Sequence, residues 1–202
     1  MHSAKEESMN EKERIKVPAG FAIVMAGNAG GFGASLIAKE HKDELLTRFP
    51  SSLIRSAAAF GESGEEEIIT SWLKENTEIE IPVSIPVGEG GVFKALWALG
   101  EEGHTGFAID IKQIPIKQET IEICNFFDIN PYRLMSKGPA VFFTKEGDRC
   151  VHELKNKGVA AQIIGFTHKE NKRVVLSTDE ERFIEPRLSD SLEEISGRKE
   201  AE

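Results

Sequence analysis

The chain has 202 residues, of which 40% are hydrophobic and 29% are charged, and its formal net charge is −9. This length and composition predict a soluble globular chain of one or two small domains and exclude a large multidomain machine. The acidic balance argues against nucleic acid as a main partner, because phosphate backbones are bound by clustered Lys and Arg. The longest apolar run covers residues 21–26. A bilayer needs roughly 20 apolar residues, so we expect no membrane-spanning segment and no membrane partner.

The first 16 residues alternate acidic and basic side chains and contain no apolar stretch typical of a secretory signal. We therefore predict a charged, solvated arm over residues 1–16 and a cytoplasmic location. Cys124 and Cys150 occur in apolar or helical contexts without CxxC spacing, which favours buried free thiols over a disulfide. The five histidines lack the spacing of metal ligands, so we predict no metal site.

Strand-like and helical patterns alternate along the rest of the chain. The strand-like runs are residues 17–27, 78–87, 105–111, 139–144, 159–167, 173–178 and 181–186. The helical patterns are residues 34–41, 50–60, 65–75, 92–102, 117–127 and 147–158. Prolines in the 78–87 run favour an edge strand or an irregular extended segment. Because the last strands follow one another directly, the pattern predicts an α+β domain over residues 17–188, followed by a loose polar tail over 189–202.

A glycine-rich stretch, GNAGGFG, joins the first predicted strand to the first helix at residues 27–33. Glycines there allow positive φ angles, and a helix amino terminus presents free N–H groups to an anion. The stretch is not a P-loop, because no Lys-Ser/Thr pair follows it, and it does not fit GxGxxG. We interpret it as a tight strand-to-helix turn.

A second glycine loop, formed by Gly88, Glu89, Gly90 and Gly91, opens the predicted helix that follows it. Its amides could bind a phosphate or carboxylate, or Glu89 could cap the helix itself and repel such an anion. The self-capped helix start is the favoured reading, and the anion site stays open. Asp110, at a strand end, could bind a ligand or cap the next turn.

Residues with nucleophilic side chains do not form a recognisable catalytic pattern. Ser84, Ser136, Cys124 and Cys150 lie in no nucleophile elbow and have no His and acid close by in the sequence. Taken alone, the residues predict no reaction and no catalytic residue.

Several motifs follow one another along the chain, namely GNAGGFGASLIA, GEGGVFKALWALGEEGHTGFAIDIKQIPIKQETIEICNFFDINPYRL, MSKGPAVFF, and KNKGVAAQIIGFT with RVVL. Their order resembles the carboxy-terminal half of the AIR synthase-related superfamily, and within it the HypE-type hydrogenase maturation factors. The likeness runs over about residues 17–186. It implies a layered α/β/α domain like the carboxy-terminal domain of AIR synthase (PurM), with a mixed sheet of roughly four strands.

The resemblance also implies what this chain would lack. In that superfamily the amino-terminal half supplies the dimerisation sheet and the acidic residues that hold magnesium and ATP, and we expect no counterpart here. The family loop Asp-Pro-Thr-Arg-Gly-Gly corresponds to residues 86–91, where Pro86 replaces the acid, Gly88 the hydroxyl and Glu89 the arginine. Glu89 therefore places a negative charge where the family has a positive one, at the position that would contact a phosphate.

Three hypotheses follow for the function. In the first, the chain is a stand-alone, non-catalytic binding or assembly module whose partner is itself, as a homo-oligomer, or a separate protein carrying the other half. No cofactor is expected for it alone, and an apolar surface should be exposed where the other half would pack. In the second, the chain is one subunit of a split enzyme that uses ATP and magnesium, as HypE-type proteins do when they dehydrate a thiocarboxamide to a thiocyanate. In the third, residues 88–91 and Asp110 form the rim of a small-molecule sensor pocket.

Overall fold

The computed structural model describes residues 15–62, 64–178, 180–185 and 189–199. Its strands are β1 Ala22–Ala26, β2 Ser84–Pro86, β3 Gly106–Asp110, β4 Ala140–Thr144, β5 Ala161–His168, β6 Arg173–Leu176 and β7 Glu181–Phe183. Its α-helices are α1 Gly31–Glu40, α2 Lys42–Leu45, α3 Ser51–Ala58, α4 Glu65–Glu75, α5 Gly91–Glu102, α6 Gln118–Phe126, α7 Gly147–Asn156 and α8 Ser191–Lys199. None of the helices in these ranges is long and apolar enough to cross a membrane.

The strands form one mixed sheet in the order β2-β4-β1-β5-β3-β6-β7. Every neighbouring pair is antiparallel except β3 and β6, which run parallel. The predicted α+β class is confirmed, but the prediction of a roughly four-stranded sheet is wrong because the sheet has seven strands. The short strands β2, β6 and β7 extend the sheet at its two ends.

Helices cover both faces of the sheet around its central strand β1. Ile23 and Met25 pack with α5 side chains such as Leu96 on one face. Val24 packs on the other face with Trp72 of α4 and with side chains of α7. This alternation follows from the period of two in a strand, and it gives the expected α/β/α layering.

The carboxy-terminal segment differs from its prediction. Residues 191–199 form helix α8, so the prediction of a loose polar tail is wrong for this part of 189–202. Ile195 is 6% exposed and packs in a cluster with Ile54 of α3 and Ile123 of α6. Residues 1–14 and 200–202, at the ends of the predicted arm and tail, lie outside the described residues. The division of the chain at residues 17 and 188 stays a prediction.

Candidate functional site

The first glycine stretch is a tight turn between β1 and α1, as predicted. Gly27 and Gly30 have φ angles of 85° and 67°, a region that non-glycine residues seldom adopt. A Cβ at Gly30 would lie 3.0 Å from the Pro131 carbonyl oxygen. The Gly30 N–H donates to the Ser136 hydroxyl oxygen at 2.8 Å, so a side chain of this protein satisfies the start of α1.

The second glycine loop, residues 88–91, packs against the 3₁₀ turn Pro131–Arg133. Gly90 caps α5 in the left-handed region, and Gly91 follows with a φ angle of 67°. A Cβ at Gly91 would collide with the Tyr132 carbonyl oxygen and lie 2.7 Å from the Arg133 carbonyl carbon. Backbone geometry therefore requires glycine at both positions, and close packing also requires it at Gly91.

The carboxylate that caps α5 belongs to Asp190 and not to Glu89. The Gly90 N–H donates to Asp190 Oδ2 at 2.7 Å. Asp190 Oδ1 accepts from the backbone N–H groups of Leu192 at 2.9 Å and Met135 at 3.3 Å. Asp190 is only 3% exposed, so these three donors hold a buried carboxylate. A negative group at a helix amino terminus is stabilised by the free N–H groups and the helix dipole.

Glu89 points away from this arrangement. Its side chain is 68% exposed and its Oε1 lies 3.7 Å from the Lys94 ammonium. A carboxylate of this chain does bind the start of α5, as the favoured interpretation predicts. The expectation that Glu89 supplies this carboxylate is wrong, because Asp190 supplies it. An exposed pair of this kind contributes little to stability.

Ser136 connects the two glycine loops. Its N–H donates to the Gly88 carbonyl oxygen at 3.1 Å, while its hydroxyl accepts the Gly30 N–H. Ser136 is 4% exposed. The sequence offers Ser136 only as a candidate nucleophile, whereas in the structure its buried hydroxyl and its backbone N–H together join two helix starts.

Arg133 holds the carboxy-terminal segment beside this network. Its guanidinium donates to the Ser189 carbonyl oxygen through Nε at 3.1 Å and Nη2 at 2.9 Å. Nη2 also lies 3.4 Å from Glu194 Oε1 on α8. Ser191 Oγ donates to the Asn130 carbonyl oxygen at 3.0 Å. The segment is thus attached on both sides of Asp190.

The five predicted site residues separate into two places. Gly88, Glu89, Gly90 and Gly91 lie together at the start of α5. Asp110 lies at the end of β3, where its Oδ1 accepts the Lys112 N–H at 2.9 Å and caps a 3₁₀ turn.

A cavity of about 420 Å³ opens beyond this network, between α5, the 130–133 segment and the last two strands. None of the five predicted site residues lines it. Its walls combine aromatic and charged side chains, among them Phe93, Arg133, Glu180, Arg182 and Phe183.

Both cysteines are free and buried, as predicted. Burial raises the pKa of Cys124 to about 12 and that of Cys150 to about 11. A thiol with such a pKa is a poor nucleophile at neutral pH, because the thiolate is the reactive form. Within the described part of the chain, no three His, Cys, Asp or Glu side chains come together as a metal site would require.

No family model matches the chain. A protein of Methanocaldococcus jannaschii with the provisional name hydrogenase expression/formation protein is 28% identical over 166 residues, which cover 80% of this chain and 46% of the relative. The crystal structure of Escherichia coli HypE superposes with a TM-score of 0.68 at 15% identity, covering 87% of this chain and 52% of HypE. HypE in a HypE–HypF complex gives a TM-score of 0.60 at 18% identity, covering 84% and 54% of the two chains.

These similarities agree with the motif order in the sequence. The chain spans about half the length of the relative and of the HypE chains that it matches. At such identities the solved structures establish the fold, and the sequence relative supports the same grouping. The chain is therefore HypE-like, as its resemblance to the AIR synthase-related superfamily predicts.

Proposed function

We propose that this chain is a binding or assembly module without catalysis of its own, derived from the fold of one half of a HypE-type protein. The observation that carries the proposal is that the Asp190 carboxylate accepts hydrogen bonds from the Gly90 and Met135 N–H groups. Those N–H groups would be the donors for a phosphate at the start of α5. A residue of the same chain occupies them instead.

The charges around the 88–91 loop support this proposal. A phosphate approaching the loop would meet the carboxylates of Asp190 and Glu89. At about 4 Å, like charges repel by roughly 4 kcal/mol at the effective dielectric constant near a protein surface. The two cations next to the loop, Lys94 and Arg133, already lie against Glu89 and Glu194. The loop is thus a poor phosphate site.

The alternative is a subunit of a split, ATP-dependent enzyme of the hydrogenase-maturation type. The geometry of the glycine loops favours it, because Ser136 holds the starts of α1 and α5 in one network. In this reading the ATP- and magnesium-binding residues come from a second chain. The Asp190 segment would then have to leave the loop when that chain docks.

Isothermal calorimetry and an ATP hydrolysis assay distinguish the two functions. The protein is titrated with magnesium-ATP alone and then mixed with the part of the M. jannaschii relative that this chain does not cover. We expect no ATP binding by the protein alone and no ATP turnover in the mixture. ATP turnover that requires both polypeptides would overturn the proposal and favour the split enzyme.

Two matched variants sharpen the same experiment. Glu89→Gln removes the exposed carboxylate in the loop, and Glu193→Gln removes an exposed carboxylate on α8. If the loop meets phosphate, only Glu89→Gln should strengthen ATP binding, because it removes repulsion at the site. We expect neither variant to bind ATP.

A further inference from the structure

Apolar side chains form part of the wall of the cavity of about 420 Å³ between α5, the 130–133 segment and the last two strands. The Phe93 ring stacks on Tyr132 with 5.4 Å between the ring centroids. Val175 and Ile184 are 7% and 5% exposed and belong to a core cluster against which Phe93 packs. The volume lies in the range of about 300–1,000 Å³ that is usual for small-molecule sites. Core packing therefore fixes an apolar wall that a small molecule can contact.

Two arginines in the same wall each keep one free nitrogen. Arg133 uses Nε and Nη2 on the Ser189 carbonyl oxygen, and its Nη2 also lies against Glu194. Arg182 uses Nε and Nη2 on the Glu180 carboxylate. Among the residues that the structure describes, neither Nη1 group has a partner. Since a guanidinium stays charged at any ordinary pH, each Nη1 offers charged N–H donors.

The Asn130 side chain adds a neutral donor to this wall. Its Oδ1 accepts the Tyr132 N–H at 2.9 Å, which holds the carboxamide in place. Its Nδ2 has no partner within the described part of the chain. Bonds to this chain thus hold all three donor side chains, so a ligand that accepts from them has little side-chain ordering to impose. The donors call for a ligand with acceptor oxygens.

The acidic side chains of the wall limit the charge of such a ligand. Each guanidinium already faces one carboxylate of this chain, and Glu185 adds an acid that has no ion pair in the described ranges. The wall therefore has free N–H donors without an excess of positive charge. A dianion such as phosphate would be repelled twice as strongly as a monoanion by these acids. A carboxylate carries one charge, and its two oxygens suit the N–H groups of a guanidinium and form stronger bonds than a neutral carbonyl.

We propose that this cavity binds a small monocarboxylic acid with an apolar body. The carboxylate accepts from the free nitrogens of Arg133, Arg182 and Asn130, and the apolar body covers Phe93 and Val175. The inference goes beyond the proposed function, because this cavity is separate from the 88–91 loop and takes another class of ligand. With few donors and no excess positive charge, we expect a dissociation constant of the order of 1 mM for a small ligand.

Titration of the isotope-labelled full chain with phenylacetate, followed by proton–nitrogen correlation spectra, tests the inference. We expect saturable shifts of the amide signals of residues 130–133, 175–177 and 182–185. Phenylacetamide keeps the apolar body but lacks the charge, and acetate keeps the carboxylate but lacks the ring. Each should bind about tenfold more weakly than phenylacetate, because each loses one of the two contacts.

Two substitutions in the wall should change the affinity in opposite directions. Arg182→Gln removes a charged donor and leaves Glu180 unpaired, so phenylacetate should bind about three- to fivefold more weakly. Glu185→Gln removes the unpaired acid, so binding should become about twofold tighter. Arg55→Gln, at an exposed arginine of α3, is the matched control and should leave the affinity unchanged. All three side chains are exposed, so the variants should fold, and circular dichroism checks this.

Three results would overturn the inference. The first is the absence of saturable shifts up to about 10 mM phenylacetate, ten times the expected dissociation constant. The second is equal binding of phenylacetate and phenylacetamide, and the third is wild-type affinity in Arg182→Gln. None of these results touches the proposed function, because that proposal depends on ATP binding and turnover. Conversely, ATP turnover in the mixed assay would overturn the proposed function while the phenylacetate result still stands.

Discussion

Asp190 and Gly90 are 100 residues apart in the chain and are joined by a 2.7 Å hydrogen bond from the Gly90 N–H to the Asp190 carboxylate. This bond ties the start of α5 to the segment that leads into α8. Arg133 reinforces the tie through Ser189. The carboxy-terminal segment is therefore part of the candidate site and not an appendage to the domain.

Replacing the Asp190 side chain should destabilise the protein. Asp190→Ala leaves the N–H groups of Gly90, Leu192 and Met135 without their acceptor, and unmade buried hydrogen bonds cost about 1–3 kcal/mol. Urea unfolding should show a loss in this range. Glu193→Ala, an exposed substitution on the adjoining helix α8, should change stability by less than about 0.5 kcal/mol. Equal effects of the two substitutions would contradict the assigned role of Asp190.

The two glycines at the ends of the 88–91 loop should differ sharply in how well they tolerate substitution by alanine. Gly91→Ala puts a Cβ into the backbone of Tyr132 and Arg133 at a φ angle of 67°, so we expect a loss of roughly 3 kcal/mol or more. A Cβ at Gly88 meets nothing within 4 Å. Gly88→Ala should therefore be neutral to within about 0.5 kcal/mol. Thermal unfolding of the two variants under identical conditions makes the comparison, and a stable Gly91→Ala protein would rule out the packing described for this loop.

Ser136 should matter for stability through its hydroxyl. Ser136→Ala removes the acceptor of the buried Gly30 N–H, which should cost about 1–2 kcal/mol. Ser52→Ala on α3, where the serine is exposed, provides the matched control. Denaturant unfolding of both variants measures the difference. If Ser136→Ala is as stable as Ser52→Ala, the bond from the Gly30 N–H to the Ser136 hydroxyl does not stabilise the connection between the two loops.

Local sequence patterns predicted most of the fold. The apolar run at residues 139–144 became β4, and the helical pattern from residue 147 became α7. Each of the seven strand-like runs corresponds to a strand of the sheet, and the wrong number, roughly four, came from the family resemblance. All three residues of β7 are exposed, and their strand state depends on pairing with β6. The local pattern predicts a longer run, residues 181–186, because it cannot show where the pairing with β6 ends.

The candidate site was predicted only in part, for a related reason. The backbone requirements of Gly90 and Gly91 are local, and the sequence shows them as a glycine loop before a helix. The cap is not local, because Asp190 reaches Gly90 across the fold. Helix α8 was not predicted because its apolar side chains are few. Leu192 and Ile195 pack it against the cluster that contains Ile54 of α3 and Ile123 of α6. Two apolar residues in a polar segment give no clear helical period.

Both thiols should resist modification in the folded protein. Cys124 and Cys150 are fully buried, and burial raises the pKa of Cys124 to about 12. At pH 8 the thiolate fraction of such a group is about 10⁻⁴. We expect Ellman's reagent to detect no thiol in the native protein and both thiols in urea. Rapid reaction of either cysteine without denaturant would mean that its surroundings open readily.

The raised thiol pKa also predicts how stability depends on pH. An unfolded thiol has a pKa near 9.0, whereas burial raises that of Cys124 to about 12 in the folded state. As the pH rises, the unfolded chain therefore loses this proton first. The stabilisation due to the neutral buried thiol is complete below pH 9 and is lost between pH 9 and 12. Other groups also titrate there, so the comparison needs Cys124→Ala, which lacks the thiol. Between pH 8 and 10 the unfolding temperature of the wild type should fall by more than that of Cys124→Ala, and an equal fall would show that Cys124 does not ionise on unfolding.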